Sequence, residues 1–131
     1  MDSSGLNVFQ KQVSELLLRH KSILDVLSKF NESNSSVHRS VIKSITECGC
    51  LEVNANKQSW CEEKGMEDAQ EGLHSHLKGT LCENCLDAVS TTLGKNLFYM
   101  ASLCNLLEID LNGVIDEETN KCNTLGLFKL S

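Results

Sequence analysis

The stretch TECGCLEVNANKQ places Cys48 and Cys50 one glycine apart, and TLCENCLDA places Cys82 and Cys85 with two residues between them. Four thiolates in tetrahedral array, each about 2.3 Å from the ion, form the usual closed structural zinc site. The same four ligands would serve an iron–sulfur cluster, although nothing in the spacing is of the ferredoxin type. A thioredoxin-like redox pair is poorly supported, because the C-x-x-C follows no strand and the chain lacks a βαβ pattern. A further redox reading is a thiol sensor, in which these cysteines release the metal or form disulfides on oxidation. The plain alternative is four reduced cysteines, some of them buried as small apolar residues. Seven cysteines is an odd number, which sits badly with a disulfide framework.

The remaining thiols and imidazoles carry less. Cys104 falls on an apolar stripe and reads as core, and Cys122 lies in the tail. Cys61, beside Trp60, is a substitute ligand if one pair is misassigned, and His74 and His76 are spare ligands of suitable chemistry. On a helix, however, positions i and i+2 diverge.

Helices must position these groups. There is no proline, and the apolar residues recur in helical period. Leu6, Phe9, Val13, Leu16, His20, Ile23, Leu27 and Phe30 form a heptad seam, which predicts one long N-terminal helix from about Gly5 to Phe30. A seam of that length suits pairing with a second copy or packing within its own bundle. His20 in that seam reads as a hydrogen-bonded polar layer. NESNSS, residues 31–36, predicts a turn. Val37, Val41, Ile42 and Ile45 then predict a shorter second helix ending at Cys48, with Gly49 as its left-handed cap. A short helix is expected from Met66 to Leu77. Thr80 and Glu83 read as a capping box opening a third helix, with Leu86, Val89, Leu93, Leu97, Met100, Cys104 and Leu107 as its buried stripe. Asp110 is expected to cap a fourth helix carrying Leu111, Val114 and Ile115. Leu125, Leu127, Phe128 and Leu130 are expected to fold back on the bundle. The expectation is a single all-α domain, 1–131, built as a four- to five-helix bundle. If Thr80 is the cap, Cys82 and Cys85 sit in the first turns of the third helix, where the helix dipole favours thiolates.

Composition narrows the partners. A formal charge of −6 and few aromatics argue against a nucleic-acid surface. No window reaches the eighteen or more apolar residues of a membrane span, and MDSSGLNVFQ lacks the charge and apolar run of a signal peptide. A cytoplasmic location, with thiols kept reduced, is therefore expected. EEKGMEDAQE holds Glu62, Glu63, Glu67, Asp68 and Glu71. Aligned on one helix face, Glu63, Glu67 and Glu71 would hold hydrated magnesium beside a phosphate, or would simply be a solvated face.

Within residues 91–121, Leu93-Gly94, Leu97-Phe98-Tyr99 and Ile109-Asp110-Leu111 resemble the later helices of MazG-like all-α nucleotide pyrophosphohydrolases. The resemblance implies a helical bundle and magnesium bound by an E-x-x-E motif on one helix and an E-x-x-D motif on the next. Here Thr92 and Lys95 stand where the second motif's carboxylates belong, and a magnesium ion would have too few ligands to position a triphosphate. The sequence thus points to a MazG-like bundle without the hydrolase site. It would carry a four-cysteine zinc site, self-associate as a homodimer or higher oligomer, and bind a protein or nucleotide-like ligand. The competing reading is a divergent magnesium-dependent nucleoside triphosphate pyrophosphohydrolase using Glu62, Glu63 and Glu67 with Asp87.

Overall fold

The computed structural model describes residues 5–16, 22–58 and 74–130, with the side chains of 127–130 outside the description. Helix α1 spans Gly5–Leu16, α2 Ile23–Lys43, α3 Glu83–Leu106 and α4 Leu111–Leu130. Two short strands, β1 (Leu51–Val53) and β2 (Leu77–Gly79), pair antiparallel with Leu51 opposite Gly79 and Val53 opposite Leu77. The described residues are therefore mostly helical, as composition suggests, with one small sheet that the sequence did not announce. None of their helices is long and apolar enough to cross a membrane.

The heptad seam does not form one rod from Gly5 to Phe30. α1 ends at Leu16, and α2 starts afresh behind Ser22, whose Oγ accepts from the Leu24 N–H at 3.3 Å. Ser22 followed by Asp25 three residues later is an N-terminal signature of the S-x-x-acid kind. His20 lies outside the described residues. Nor does NESNSS turn: α2 runs straight through it. Its serines return their hydroxyls to the helix, Ser33 to the Phe30 carbonyl at 2.7 Å and Ser36 to that of Glu32 at 3.2 Å. Such back-bonding satisfies the polar side chains without breaking the helix.

Tertiary contact explains why this polar run stays helical. Asn96 of α3 donates to both Ser33 Oγ and Asn34 Oδ1, and Ser40 Oγ meets Thr92 Oγ1 at 3.0 Å. Residue numbers rise along α2 as they fall along α3, so the pair is antiparallel, with a largely polar seam. The row of α3 that meets α2 is accordingly Cys85, Val89, Thr92 and Asn96. The expected leucine stripe lies beside it: Leu86, Leu93, Leu97 and Leu107 are exposed, whereas Val89 and Cys104 are buried. The row that meets α2 thus combines hydrogen-bonding side chains with the buried Val89.

The apolar core sits at the opposite end of α3 from Cys82 and Cys85. Val13, Ala101, Cys104 and Leu111 form it, with Leu6, Phe9, Phe98 and Met100 packed around them. Gln10 fastens α1 to this end. Its amide donates to the Ile109 carbonyl at 2.8 Å and accepts from the Leu111 N–H at 3.0 Å, while its own carbonyl accepts from Asn105 at 3.0 Å. Helix α4 begins directly after Asp110, as expected, and continues as one helix to Leu130; Leu125, expected to pack on the bundle, is exposed, and the side chains of Leu127, Phe128 and Leu130 lie outside the description.

Candidate metal centre

Each cysteine pair is placed by the end of a helix. At the close of α2 the backbone widens into a π-turn over Ser44–Cys48, ended by the Gly49 N–H donating to the Ser44 carbonyl at 3.0 Å. Such a turn inserts one extra residue and redirects the chain beyond it, a device frequent at functional sites. Gly49 has φ +83°, the left-handed conformation expected from its place between the two cysteines. The chain then enters β1, whose pairing with β2 brings the second pair of cysteines alongside.

A second glycine is needed here. Gly79 has φ +89°, and a Cβ on it would land on the Cys50 carbonyl oxygen. The sheet thus packs backbone against backbone immediately behind the first cysteine pair. Further out, the Gln58 side-chain amide donates to the His74 carbonyl and accepts from the His74 N–H.

Helix α3 is capped not by Thr80 but by Cys82. Its Sγ accepts from the Cys85 N–H at 3.4 Å, so the Thr80–Glu83 capping box does not form. A thiolate at this position takes the role of an N-cap oxygen and faces the positive end of the helix dipole. Leu77, expected at the end of a short helix, is in β2; residues 66–73 of that expected helix lie outside the described residues.

The result is convergence. The sulfurs of Cys48, Cys50, Cys82 and Cys85 all lie within 4.8 Å of one another. Those of Cys48 and Cys82 are 3.8 Å apart. A tetrahedron with about 2.3 Å metal–sulfur bonds has an edge of about 3.8 Å, so this pair already stands at ligand spacing. No disulfide joins the described cysteines.

The thiols differ electrostatically. Cys82 is drawn down to about 7, first by the Cys85 N–H and then by the Cys85 thiol. Cys85 is pushed up to about 12: the Ser44 hydroxyl favours its thiolate, but the Cys82 sulfur, burial and the other two sulfurs outweigh that. Cys48 also moves up; the Cys50 N–H and the Cys85 thiol favour its thiolate, yet the Cys82 and Cys50 sulfurs and burial prevail. Like charge therefore disfavours ionising all four thiols together, and a cation among them would relieve it.

A pH dependence arises from these directions. At pH 7 Cys85 and Cys48 are protonated and Cys82 is about half ionised, so each ion bound must displace at least two protons. Apparent metal affinity is expected to rise at least about 100-fold per pH unit above 7 and more steeply below it, as the Cys82 proton joins the count. Competition with a chelator of known proton affinity between pH 6 and 8 measures this slope. A flat profile would exclude coordination by these thiols.

Among the described residues no other group of three or more His, Cys, Asp or Glu side chains converges in this way. Cys104 is buried in the core, where burial pushes its thiol up, and Cys122 is exposed on α4. His74 and His76 stay outside the cluster, their rings edge to face at 5.1 Å, with His76 in the left-handed region at φ 63°. Glu62, Glu63, Glu67 and Cys61 lie outside the described residues, and Asp87 is exposed on the first turns of α3. The cap role of Cys82 is the feature sequence reasoning missed; the signal available was a cysteine three residues before another at a helix start.

Compared with protein-family models, with curated proteins and with solved structures, the chain has no match.

Proposed function

We propose that this chain is a non-enzymatic, zinc-stabilised helical binding protein that self-associates and takes a ligand in a groove of its helices. The observation that carries the proposal is the convergence of Cys48, Cys50, Cys82 and Cys85 within 4.8 Å. That spacing suits a single ion. A cluster places several irons and sulfides between its thiolates and holds them further apart, and magnesium prefers oxygen ligands. Zinc is the usual single ion for four thiolates in a closed tetrahedral site.

The test is elemental analysis of protein purified without added metal, together with its visible spectrum. One zinc per chain and no colour is the expected result. Brown protein with iron would replace zinc by a cluster, and metal-free protein with every thiol open to reagent would end the metal reading.

The MazG-like relationship enters as a relationship of fold. Leu97-Phe98-Tyr99 lie on α3 and Leu111 opens α4 after Ile109-Asp110, the order the resemblance implies. Where that family's carboxylates would stand, Thr92 hydrogen-bonds to Ser40 and Lys95 is exposed. A neutral hydroxyl pair and a lysine support binding rather than metal-assisted hydrolysis.

Self-association rests on the face of the α2–α3 pair that carries unpartnered leucines. With 3.6 residues per turn, Leu86, Leu93 and Leu97 share one side of α3, about 100° round from the row that meets α2. They are 53%, 47% and 44% exposed, and Ile23 and Leu27 stand exposed on the corresponding side of α2. A second copy offers the same face, and two antiparallel helix pairs laid together make a four-helix arrangement with closed two-fold symmetry. Sedimentation equilibrium is expected to give a dimer, and the double variant Leu93→Glu, Leu97→Glu a 14.5 kDa monomer. A wild-type monomer at micromolar concentration would remove the dimer from the proposal.

A further inference from the structure

The other face of the α2–α3 pair is different in kind. A groove of about 470 Å³ runs along it, with Ser36, Arg39, Ser40 and Lys43 on α2 and Asn84 and Thr92 among the α3 residues. Its size is that of a small-molecule site. One end is walled by Cys48 and Cys85, so the groove begins where the metal centre stops.

Its charge is unusual for this chain. The protein carries −6 overall, yet Arg39 and Lys43 stand one helical turn apart on the groove. Neither is engaged in an ion pair among the described residues, where Lys29 pairs with Glu32 instead. Glu47 also lines the groove, at the metal end, and remains unbridged to Lys43. Around the cations stand hydroxyls. Ser36 and Ser40 donate to the carbonyls of Glu32 and Val37 within their own helix, and Ser40 also meets Thr92 across the seam; rotation of the exposed Ser36 side chain frees its hydroxyl. A free guanidinium, a free ammonium and hydroxyls form the donor set that phosphate oxygens select.

We infer that this groove binds the phosphoryl group of a small phosphorylated molecule, gripped by Arg39 and Lys43 directly and without a divalent cation. The inference rests on the binding-protein reading above and supplies its ligand class. The metal centre decides which end is used. Zinc with four thiolates carries a net charge of −2, which repels an anion beside it. Arg39 precedes Cys48 by nine residues, about 13 Å of helix rise and beyond a Debye length at physiological salt. The phosphoryl group therefore sits at the Arg39 end, among Ser36, Ser40 and Thr92, and Lys43 bridges toward the metal.

The experiment is calorimetric titration of the metal-loaded protein with pyrophosphate, inorganic phosphate and adenosine monophosphate, for wild type, Arg39→Gln and Lys43→Gln. Elemental analysis and circular dichroism accompany each sample. Pyrophosphate binding that Arg39→Gln weakens at least 10-fold, with metal content and helicity unchanged, is the expected result. Tighter binding of adenosine monophosphate than of inorganic phosphate would assign the rest of the groove to an organic group; equal binding would assign recognition to the phosphate alone. No pyrophosphate binding at millimolar concentration, or binding indifferent to Arg39→Gln, would overturn the inference. Loss of metal from both variants would overturn it too, because the cations would then serve to offset the thiolate charge. Arginine-dependent binding by a wild-type protein that proves metal-free would leave this inference standing while the zinc reading failed.

Discussion

Replacing Cys82 with serine is expected to empty the metal centre and lower the melting temperature by about 12 °C. The figure combines a loss on the order of 4 kcal/mol for a structural metal with roughly 3 °C per kcal/mol at this chain length. Cys82 acts twice. It is a candidate ligand, and its sulfur is also the N-cap of α3, accepting from the Cys85 N–H. Serine is itself a good cap, so Cys82→Ser keeps the helix start and isolates the metal contribution. Metal content and melting temperature should therefore fall together, and a chelator should lower wild type to the level of the variant without moving the variant further. A variant that keeps one zinc per chain, or melts with wild type, would show that the sulfur is not a ligand.

The second large effect is expected at a residue with no chemistry of its own. Gly79→Ala would drive a methyl group into the Cys50 carbonyl, in a backbone conformation at φ +89° that side chains disfavour. Backbone cannot yield as a flexible side chain can, so β1 and β2 must separate. Cys50 and Cys82, which flank the two strands, are then pulled out of register. Apparent metal affinity is expected to drop more than 100-fold with all four cysteines intact, about 2.8 kcal/mol at 1.4 kcal/mol per factor of ten. Gly49→Ala is the comparison: it is also left-handed, at φ +83°, but nothing lies within 4 Å of the added methyl. It should cost only the conformational penalty, about 1 kcal/mol. Equal losses for the two variants would mean that the close approach at Gly79 is unimportant.

The cysteine pairs were legible because ligand type and spacing survive in one dimension. Gly49 and the start of α4 after Asp110 were legible for a similar reason, since each is fixed by near neighbours in sequence. The features that sequence did not show depend on partners far along the chain. NESNSS reads as a turn on local preference, yet Asn96, more than sixty residues away, holds Ser33 and Asn34 in a helix. Along the same seam Val89, Thr92 and Asn96 face α2 and the leucines do not. Thr80 reads as the cap because threonine is the commoner choice, but the position one residue before Glu83 is Cys82. The three-residue strands were too short to leave an alternating pattern, and they owe their pairing to the turn at Gly49 and the close contact at Gly79.

Helix α3 is fastened at its two ends by unlike means. At one end Val13, Ala101, Cys104 and Leu111 exclude water and join it to α1 and α4, with Gln10 locking the corner. At the other, four sulfurs gather at the end of α2 and the start of α3. Between them run neutral hydrogen bonds, each worth about 1 kcal/mol net. With a metal ion bound by these sulfurs, opening of the two ends would be governed by different variables, denaturant at one and free metal concentration at the other. Amide hydrogen exchange should register them separately, with residues 44–53 and 77–89 losing protection as metal is withdrawn while residues near Gln10 and Leu111 keep theirs. Where the free concentration of a bound metal ion fluctuates, one end of α3 would then loosen and tighten with the supply of the ion while the other stays closed.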